Sequence, residues 1–525
     1  MIPDERMGKH HALVLSQNPR IVAEAIAPGL LQIKARLSQF GTFIRMSAAP
    51  SPFPETVAMA SQPAPVLDEG LLARLDIAGP RYTSYPTADR FVDAFTAEHY
   101  RQALAQRAEG VGALGSAAPL SLYVHIPFCE SVCYYCACNK VITKHHERAG
   151  EYLDALEAEI ALHEAVMGRG QPVSQLHLGG GSPTFLSDDE LERLMASLRR
   201  SFKLLDSGEY AIEVDPRTVT RQRLERLAGM GFNRISLGVQ DTDAQVQKAV
   251  HRVQPWQQVV ELIQAARELK FHSVNVDLIY GLPRQTAQSF VNTLSDVISV
   301  RPDRVAIYAY AHLPRVFKPQ RRIIEAELPK AGDKISMLSS AISRFLGAGY
   351  QYIGMDHFAL PDDSLAVAKR QGRLHRNFQG YSTQPDCDII GLGVSAIGRV
   401  GATYSQNAKT LPAYYDAIRA GDFAVARGIA LTRDDLLRRS IIMAIMAQGR
   451  VDYESIELAH LVDVRQVFAR EIEQLAAFED WGLVVRAPDG IEVTPLGWYF
   501  VRAIAMVFDR HLQADQALQR FSRII

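Results

Sequence analysis

Four of the five cysteines in this 525-residue chain lie close together, between positions 129 and 138. Cys129, Cys133 and Cys136 have the spacing CxxxCxxC, and Cys138 follows two residues later. Thiolates this close together on a loop suit an iron–sulfur cluster or zinc. Three thiolates on a four-iron cluster leave one iron open to an external ligand, where chemistry can occur. The alternatives are a structural zinc site and thiols that only pack in the core, which is the role we expect for the isolated Cys387.

The composition is that of an ordinary globular protein. The chain has 57 basic and 58 acidic residues, a net charge of −1, so it has no overall field that would attract nucleic acid or anionic lipid. Its longest apolar stretches, such as residues 441–447, are far shorter than the ~20 residues that cross a bilayer. Five cysteines are too few for a disulfide framework of this size. We therefore expect a cytoplasmic protein with no membrane partner and no nucleic-acid partner.

Six short apolar runs rich in β-branched residues follow one another from about residue 120, each succeeded by turn residues and a helical pattern. They are residues 122–126, 175–179, 210–214, 234–239, 273–280 and 304–310. Between the first two runs, Leu153, Leu156 and Ile160 share one helix face, as a crossover helix requires. The pattern predicts an α/β fold, a partial (βα)6 TIM-like barrel with its active site at the C-terminal ends of the strands. The cysteine motif directly follows the first of these strands.

The two ends of the chain differ from this pattern. Residues 47–66 contain five prolines and little besides small residues, which predicts a linker. After about residue 430, a helix N-capped by Thr432 and a hairpin around Asp489 and Gly490 predict a mainly α-helical, winged-helix-like cap. The predicted domains are a disordered or mis-annotated extension with its linker (1–66), a segment that packs on the barrel (67–115), the barrel (116–400) and the helical domain (401–525).

A CxxxCxxC motif directly after the first strand of a βα barrel resembles the radical S-adenosylmethionine enzymes. Within that superfamily, the chain resembles the oxygen-independent coproporphyrinogen III oxidases over about residues 68–525. The motifs that carry this resemblance are GPRYTSYPTA (79–88), YVHIPFC (123–129), LHLGGGSPTFL (176–186), IEVDPR (212–217), DLIYGLP (277–283), LHRNFQGY (374–381) and QRFSRII (519–525).

The resemblance implies one 4Fe–4S cluster, held by Cys129, Cys133 and Cys136, and two bound S-adenosylmethionine molecules. Cys138 matches a position needed for activity, so it is the catalytic candidate. The positions that match the family's other cofactor contacts are Tyr123, Gly180, Gly181, Ser182, Glu213, Gln240, Arg252, Asp277, Ala311 and Ile397, with Tyr135 at the second S-adenosylmethionine.

Three features of these motifs leave alternatives open. Glycines at 179–181 let the backbone approach a ligand closely, but a tight βα turn explains them equally well. Of Glu213 and Asp215, which flank Val214, we expect only one to face the barrel interior, and we choose Glu213. Ala137 stands where the family pattern has glycine, and it would cost about 1 kcal/mol if this position needed a positive φ.

The activity implied by the resemblance is an oxidative decarboxylation that needs no oxygen. Two propionate side chains of coproporphyrinogen III would become vinyl groups, giving protoporphyrinogen IX, after hydrogen abstraction by a 5′-deoxyadenosyl radical. The four carboxylates of the substrate require local cations, and the candidates are Arg321, Arg322, His375 and Arg376. The implied partners are this substrate and an electron donor such as flavodoxin or ferredoxin, and we expect a monomer.

Two other functions are compatible with a cysteine cluster. A haem-carrying chaperone related to these oxidases keeps the cluster motif but transfers haem, and it typically has an aromatic residue where this chain has Cys138. It also lacks the GPRYTSYPTA and FSRII segments, so three features favour the oxidase. A zinc-bound nucleic-acid module is the third interpretation, and it predicts a colourless protein that does not respond to dithionite.

Overall fold

The six predicted strands lie side by side in one large sheet. The computed structural model describes residues 69–75, 77–110, 118–384 and 386–513. Within these ranges the six strands are parallel neighbours in chain order, as predicted. They are β1 (Leu120–Ile126), β4 (Gln171–Gly180), β5 (Phe202–Val214), β6 (Arg234–Gln240), β7 (Ser273–Tyr280) and β8 (Arg304–Ala309). The predictions for residues 1–66 and for the QRFSRII end lie outside the described residues.

Helices connect the successive parallel strands. The connecting helices are α3 (Arg148–Met167), α4 (Asp188–Ser201), α5 (Arg221–Gly229), α6 (Ala244–Ala249), α7 (Trp256–Glu268) and α8 (Ala287–Val300); before them come α1 (Glu69–Leu75) and α2 (Ala97–Ala108). In α3, the side chains of Leu153, Leu156 and Ile160 are all buried. This confirms the predicted crossover helix, whose apolar face packs against the sheet.

The sheet is wider than predicted, because twelve strands of the described ranges belong to it. On one edge, β13 (Ile389–Leu392) pairs in parallel with β1, followed by the antiparallel β14 (Ile397–Val400), β15 (Thr403–Asn407) and β16 (Val425–Ala430). On the other edge, β10 (His357–Ala359) pairs antiparallel with both β8 and β9 (Gln351–Gly354). These strands are too short to show a clear hydrophobic alternation. Because β15 and β16 follow residue 400, the sheet continues past the predicted end of the barrel.

The chain between and after these edge strands adds short elements. They are α9 (Ala331–Gly347), α10 (Ser364–Arg370), the paired strands β11 (His375–Asn377) and β12 (Gly380–Ser382), and α11 (Leu411–Arg419). Two further two-residue strands, β2 (Phe128–Cys129) and β3 (Val141–Ile142), pair with each other next to the cysteine motif.

The C-terminal part is mainly helical, as predicted. Its elements are α12 (Arg433–Gln448), β17 (Arg450–Asp452), α13 (Tyr453–His460), α14 (Val464–Val467), α15 (Ala469–Asp480), β18 (Val484–Ala487), β19 (Gly490–Val493), α16 (Val501–Met506) and α17 (Arg510–Gln513). Thr432 caps α12 and forms a capping box with Asp435. The hairpin is present, but Ala487 pairs with Gly490, so its turn is Pro488–Asp489.

The described part of the N-terminal segment contacts both the sheet and the C-terminal helices. Val92 bridges to Gly428 in β16. The hydroxyl of Tyr82 donates to Asp509 at 2.9 Å. None of the helices in the described ranges is long and apolar enough to cross a bilayer.

Candidate active site

The cysteine motif forms a closed loop at the C-terminal end of β1. Its two ends are tied together, because the amide of Val141 donates to the carbonyl of Pro127 at 2.8 Å and that of Thr143 donates to the carbonyl of Cys129 at 3.0 Å. Inside the loop, the Nζ of Lys140 donates to the carbonyl of Cys136 at 3.0 Å. The thiols are therefore presented by a compact turn that begins and ends on the barrel.

A cavity of about 360 Å³ lies against this loop and brings most of the predicted site residues together. Among the residues that line it are Cys129, Cys133, Tyr135, Cys136, Cys138, Gly180, Gly181, Ser182, Glu213, Gln240, Arg252 and Asp277. Tyr123 and Ile397 line an adjoining cavity instead, and Ala311 lines neither.

The chemistry of the thiols fits the implied cluster. In the described ranges, no group of three or more ligating side chains already surrounds a metal position, but the three thiols border one cavity. Burial raises the pKa of Cys129 to about 12, so this thiol would remain neutral without a bound cation. A hydrogen bond with Cys138 lowers the pKa of Cys136.

Two arginines surround the sulfur of Cys133. The Nη1 of Arg252 lies 3.5 Å from this sulfur, and the Nη2 of Arg217 lies 3.9 Å from it. Both arginines also contact Asp215, at 3.4 Å from Arg252 and 2.6 Å from Arg217. Burial alone would raise the pKa of Asp215, but its contacts with Arg217 and Arg252 outweigh this effect and lower it. The sulfur therefore lies beside two guanidinium groups, one of which, Arg252, is buried.

The expectation that only one of Glu213 and Asp215 faces the interior is wrong. Both line the cavity. Glu213 lies near the end of β5 and Asp215 directly after it, and side chains two residues apart on a strand point to the same face. Asp215 could therefore have been predicted as a site residue, because its spacing of two from Glu213 places both side chains on one face of the strand.

The glycine turn after β4 packs directly on the cysteine loop. Gly180 has a φ of +109°, and a Cβ atom there would lie 2.5 Å from the ring of His125. A Cβ atom on Gly181 would lie 2.6 Å from the carbonyl oxygen of Pro127. The amides of Gly181 and Ser182 donate to the carbonyls of Ile126 and Phe128. These amides thus hold the cysteine loop against the end of β4.

Glu213 belongs to a chain of hydrogen bonds and ring contacts across neighbouring strands. It accepts from the Nε2 of His177 at 3.1 Å, and the ring of His177 stacks on Tyr123 with centroids 5.9 Å apart. The hydroxyl of Tyr123 contacts the Nδ1 of His125 at 3.1 Å. Burial alone would raise the pKa of Glu213, but the contact with His177 and a hydrogen bond from Gly180 lower it. The carboxylate is therefore held in its charged form.

Asp277 lies at the boundary between the two cavities and has an elevated pKa. It accepts hydrogen bonds from Ser236 at 2.8 Å and from Asn275 at 2.9 Å. Burial raises its pKa to about 6, and the nearby charge of Glu213 contributes. On the neighbouring strand β6, the last residue, Gln240, has a φ of +67°. This conformation is uncommon for residues other than glycine and often occurs at functional sites.

The two predicted residues that are remote in the sequence, Tyr135 and Ala311, are linked by Gln320. The Nε2 of Gln320 donates to the carbonyl of Tyr135 at 3.0 Å and to that of Ala311 at 3.1 Å. Ala137 is not among the described residues with a positive φ. Alanine in place of the family's glycine therefore causes no backbone strain here.

The adjoining cavity has a volume of about 740 Å³. The residues that line both cavities are Cys138, Gly180, Glu213, Ser236 and Asp277. Arg234 and Arg304 line the larger cavity. The sequence did not predict them, because each lies at the start of a strand, whereas the active site of a βα barrel is expected at the C-terminal ends of the strands.

The four predicted carboxylate-binding residues do not line this cavity. Arg321 and Arg322 are exposed on the surface. Arg376 is buried, with its guanidinium 4.6 Å from the ring centroid of Tyr381, which does line the cavity. His375 is only half-buried in β11. Residue type alone did not show where these side chains point.

Comparison with known proteins identifies the family. Residues 123–297 match the Radical SAM superfamily, and residues 431–500 match the HemN C-terminal domain. The oxygen-independent coproporphyrinogen III oxidase of Escherichia coli strain K12 is 46% identical over 458 residues, which cover 87% of this chain and 98% of that protein. This chain belongs to the oxygen-independent coproporphyrinogen III oxidases. The oxidase of the same name from Pseudomonas aeruginosa is 47% identical over 460 residues, 87% of this chain and 98% of that protein.

The solved structure of an oxygen-independent coproporphyrinogen III oxidase supports the same assignment. The HemN structure from Escherichia coli, described as a radical SAM enzyme, has a TM-score of 0.78 and 46% identity, and the match covers 83% of this chain and all of that one. The predicted fold class and the predicted membership of the radical SAM enzymes are confirmed.

Proposed function

We propose that this chain converts two propionate side chains of coproporphyrinogen III to vinyl groups without oxygen, giving protoporphyrinogen IX. The observation that carries the proposal is that the cavity against the cysteine loop meets the larger cavity, since five residues line both. A substrate in the larger cavity would meet the cofactor at this junction. The names of the relatives support this activity.

The proposed cofactors are one 4Fe–4S cluster on Cys129, Cys133 and Cys136 and two S-adenosylmethionine molecules. When bound and given one electron by a donor, they would break the C5′–S bond, release methionine and supply a 5′-deoxyadenosyl radical that can remove a hydrogen atom from a propionate β-carbon. Loss of carbon dioxide and of one electron to an acceptor would then leave the vinyl group. Each propionate requires one such cycle.

The chain's own residues would bind and orient these molecules and limit the access of water. In this proposal, the charged carboxylate of Glu213 and the site around Asp277 bind S-adenosylmethionine. Gly180, Gly181 and Ser182 hold the cysteine loop against β4. Arg252 stabilises negative charge on the Cys133 sulfur. These contacts would hold the reactants close together and limit the access of water, two effects that raise the rate of a reaction in an active site.

We also propose the cellular setting of the reaction. The protein would act in the cytoplasm as a monomer, take electrons from a donor such as flavodoxin or ferredoxin, and need neither nucleic acid nor a membrane. The balanced charge of the chain supports this proposal. The related haem-carrying chaperone is not favoured, because the relatives described above are oxidases.

Anaerobic reconstitution with iron and sulfide tests the proposed activity. Incubation with S-adenosylmethionine, dithionite and coproporphyrinogen III should give 5′-deoxyadenosine and a product that has lost two carbon dioxide units in sequence. Cys133→Ala should lose cluster absorption and activity together, whereas the control Cys387→Ala, at a buried cysteine that lines neither cavity, should keep both. A wild-type protein that binds iron and sulfide but makes neither product would refute the proposal.

A further inference from the structure

The outer wall of the cysteine loop reaches the protein surface at Tyr134. This residue lies between Cys133 and Cys136 in the sequence. Its ring stacks on the exposed His251, with centroids 5.0 Å apart and planes 8° apart. The guanidinium of Arg322 lies 5.4 Å from the centroid of the same ring. The part of the cysteine loop between Cys133 and Cys136 thus contacts exposed residues of two other segments.

The segment after β8 is fixed beside this wall. Gln320 is buried and donates to the carbonyl of Tyr135 at 3.0 Å. Ile323 is buried in an apolar cluster that also includes Tyr134 and Tyr135. Because of these contacts, exposed residues on either side of Gln320 keep a defined position relative to the cysteine loop.

The exposed charges on this segment and beside it are mainly positive. The exposed basic residues are Lys248, Arg315, Lys318, Arg321 and Arg322, whereas the exposed acidic residues are Glu130 and Glu325. This local excess contrasts with the net charge of −1 for the whole chain. It creates a positive potential beside the cysteine loop.

Exposed aliphatic side chains lie among these charges. Val316 is 67% exposed, and Val253 and Ile324 are each 58% exposed. Aliphatic side chains with a charged rim are typical of surfaces that bind another protein. We call the basic and aliphatic residues named in these two paragraphs the cluster-side surface.

We propose that the cluster-side surface docks an acidic one-electron carrier protein. This inference rests on the proposed function, because it assumes that the cysteine loop holds the cluster. One electron leaves the reduced carrier and enters the cluster, and no bond or proton transfer is required of this chain. The positive charge attracts an acidic partner and increases the association rate, and the aliphatic residues would contact it directly.

The substrate is a less suitable occupant of this surface. Coproporphyrinogen also carries negative charge, but its proposed cavity is lined by Phe317 from the inner side of the same segment. Arg315 and Lys318 are exposed and do not line that cavity. The segment therefore lies between the substrate cavity and the outer surface, where a protein partner has access.

The double variant Arg315→Glu/Lys318→Glu tests this proposal with flavodoxin as the probe. Binding of oxidised flavodoxin to the reconstituted protein should weaken by about tenfold or more at low salt, and the loss should diminish as salt screens the charges. Turnover with limiting reduced flavodoxin should fall in parallel, while turnover with dithionite should change less than about twofold, since a small reductant needs no docking. Lys203→Glu, at the opposite end of β5 from Glu213, is the matched control and should change none of these values.

Each contrary result has a distinct meaning. If flavodoxin binds the wild type and the double variant equally, the docking surface is wrong. If the variant raises the KM for coproporphyrinogen with dithionite as reductant, the surface serves substrate entry instead, and the proposal is also overturned. If the wild type makes no 5′-deoxyadenosine with dithionite, the proposed function fails, whereas the flavodoxin affinity still decides whether the surface binds this carrier.

Discussion

Arg252 contacts the sulfur of Cys133: its Nη1 lies 3.5 Å from the Sγ atom, and its Nη2 donates to the carbonyl of Gly238 at 2.7 Å. The guanidinium is therefore held between strand β6 and the cysteine loop. Removing this positive charge should make it harder to add an electron to a cluster on Cys133. We expect Arg252→Gln to make the reduction potential of the reconstituted cluster more negative and to lower turnover roughly 10- to 100-fold.

An electron-paramagnetic-resonance titration of the cluster against potential measures this effect. Arg284→Gln is a suitable control, because Arg284 is an exposed arginine that pairs with Glu327 away from the cavity. Equal potentials for Arg252→Gln and the wild type would contradict the electrostatic role.

The glycine turn should be intolerant of any side chain. A Cβ atom on Gly180 would lie 2.5 Å from the ring of His125, at a φ of +109°. We expect Gly180→Ala to destabilise the fold by about 1–3 kcal/mol and to reduce cluster retention, because the displaced turn no longer holds the cysteine loop. Thermal unfolding and iron content measure both effects.

Gly150 in helix α3 is the matched position where the same change should be harmless. A Cβ atom there meets nothing within 4 Å, and alanine should stabilise the helix by up to about 1 kcal/mol. If both variants behave alike, the close packing at Gly180 does not support the cysteine loop.

The central strands were predictable because each contains a short apolar run followed by turn residues and a helical pattern. Strands β1, β4 and β7 are buried along most of their length, which produces the nearly continuous apolar runs that the sequence shows. In β6 and in the second half of β5, buried residues alternate with half-buried ones. Strand β13, only four residues long with a glycine, gives no such pattern although it pairs with β1. Its place in the sheet depends on contacts far along the chain.

The site was predictable where residue type, motif and strand end coincide. Tyr123 and His177 are cross-strand neighbours in the register of β1 and β4, so a histidine preceding the glycine turn could have been recognised as a site residue. The arginine candidates Arg321 and Arg322 are exposed and do not line the larger cavity. Their direction could not be predicted, because a charged residue on an irregular segment has no periodic pattern. The structure instead places Arg234 and Arg304 on the cavity wall.

Asp277 should make the stability of the protein depend on pH. Burial raises its pKa from 3.8 to about 6 in the folded state, so the folded state binds more protons than the unfolded state between these values. The contribution of Asp277 to the free energy of unfolding is therefore greatest below about pH 4. It falls by up to about 3 kcal/mol as the pH rises through 6. Asp277→Asn removes this loss, so its stability relative to wild type should increase between about pH 4 and pH 7.

Urea unfolding of both proteins at several pH values measures this difference, and the same variant should lose activity if Asp277 contacts the cofactor. Ser236→Ala removes a hydrogen bond to this carboxyl but leaves the titrating group in place. It should therefore keep the pH dependence. A stability difference between Asp277→Asn and wild type that is constant with pH would contradict the elevated pKa.

Cys138 lines both cavities and its thiol contacts Cys136, yet the motif spacing assigns the cluster to the other three cysteines. We expect Cys138→Ala to retain iron, sulfide and cluster absorption but to lower vinyl formation by about 100-fold, the cost of misplacing the substrate where the two cavities meet. Formation of 5′-deoxyadenosine should fall less than vinyl formation, since the radical can still form when the substrate is misplaced. Cys138→Ser keeps a polar hydrogen and should recover part of the activity. Loss of iron in Cys138→Ala would instead make Cys138 a ligand, and full activity would show that its thiol only packs.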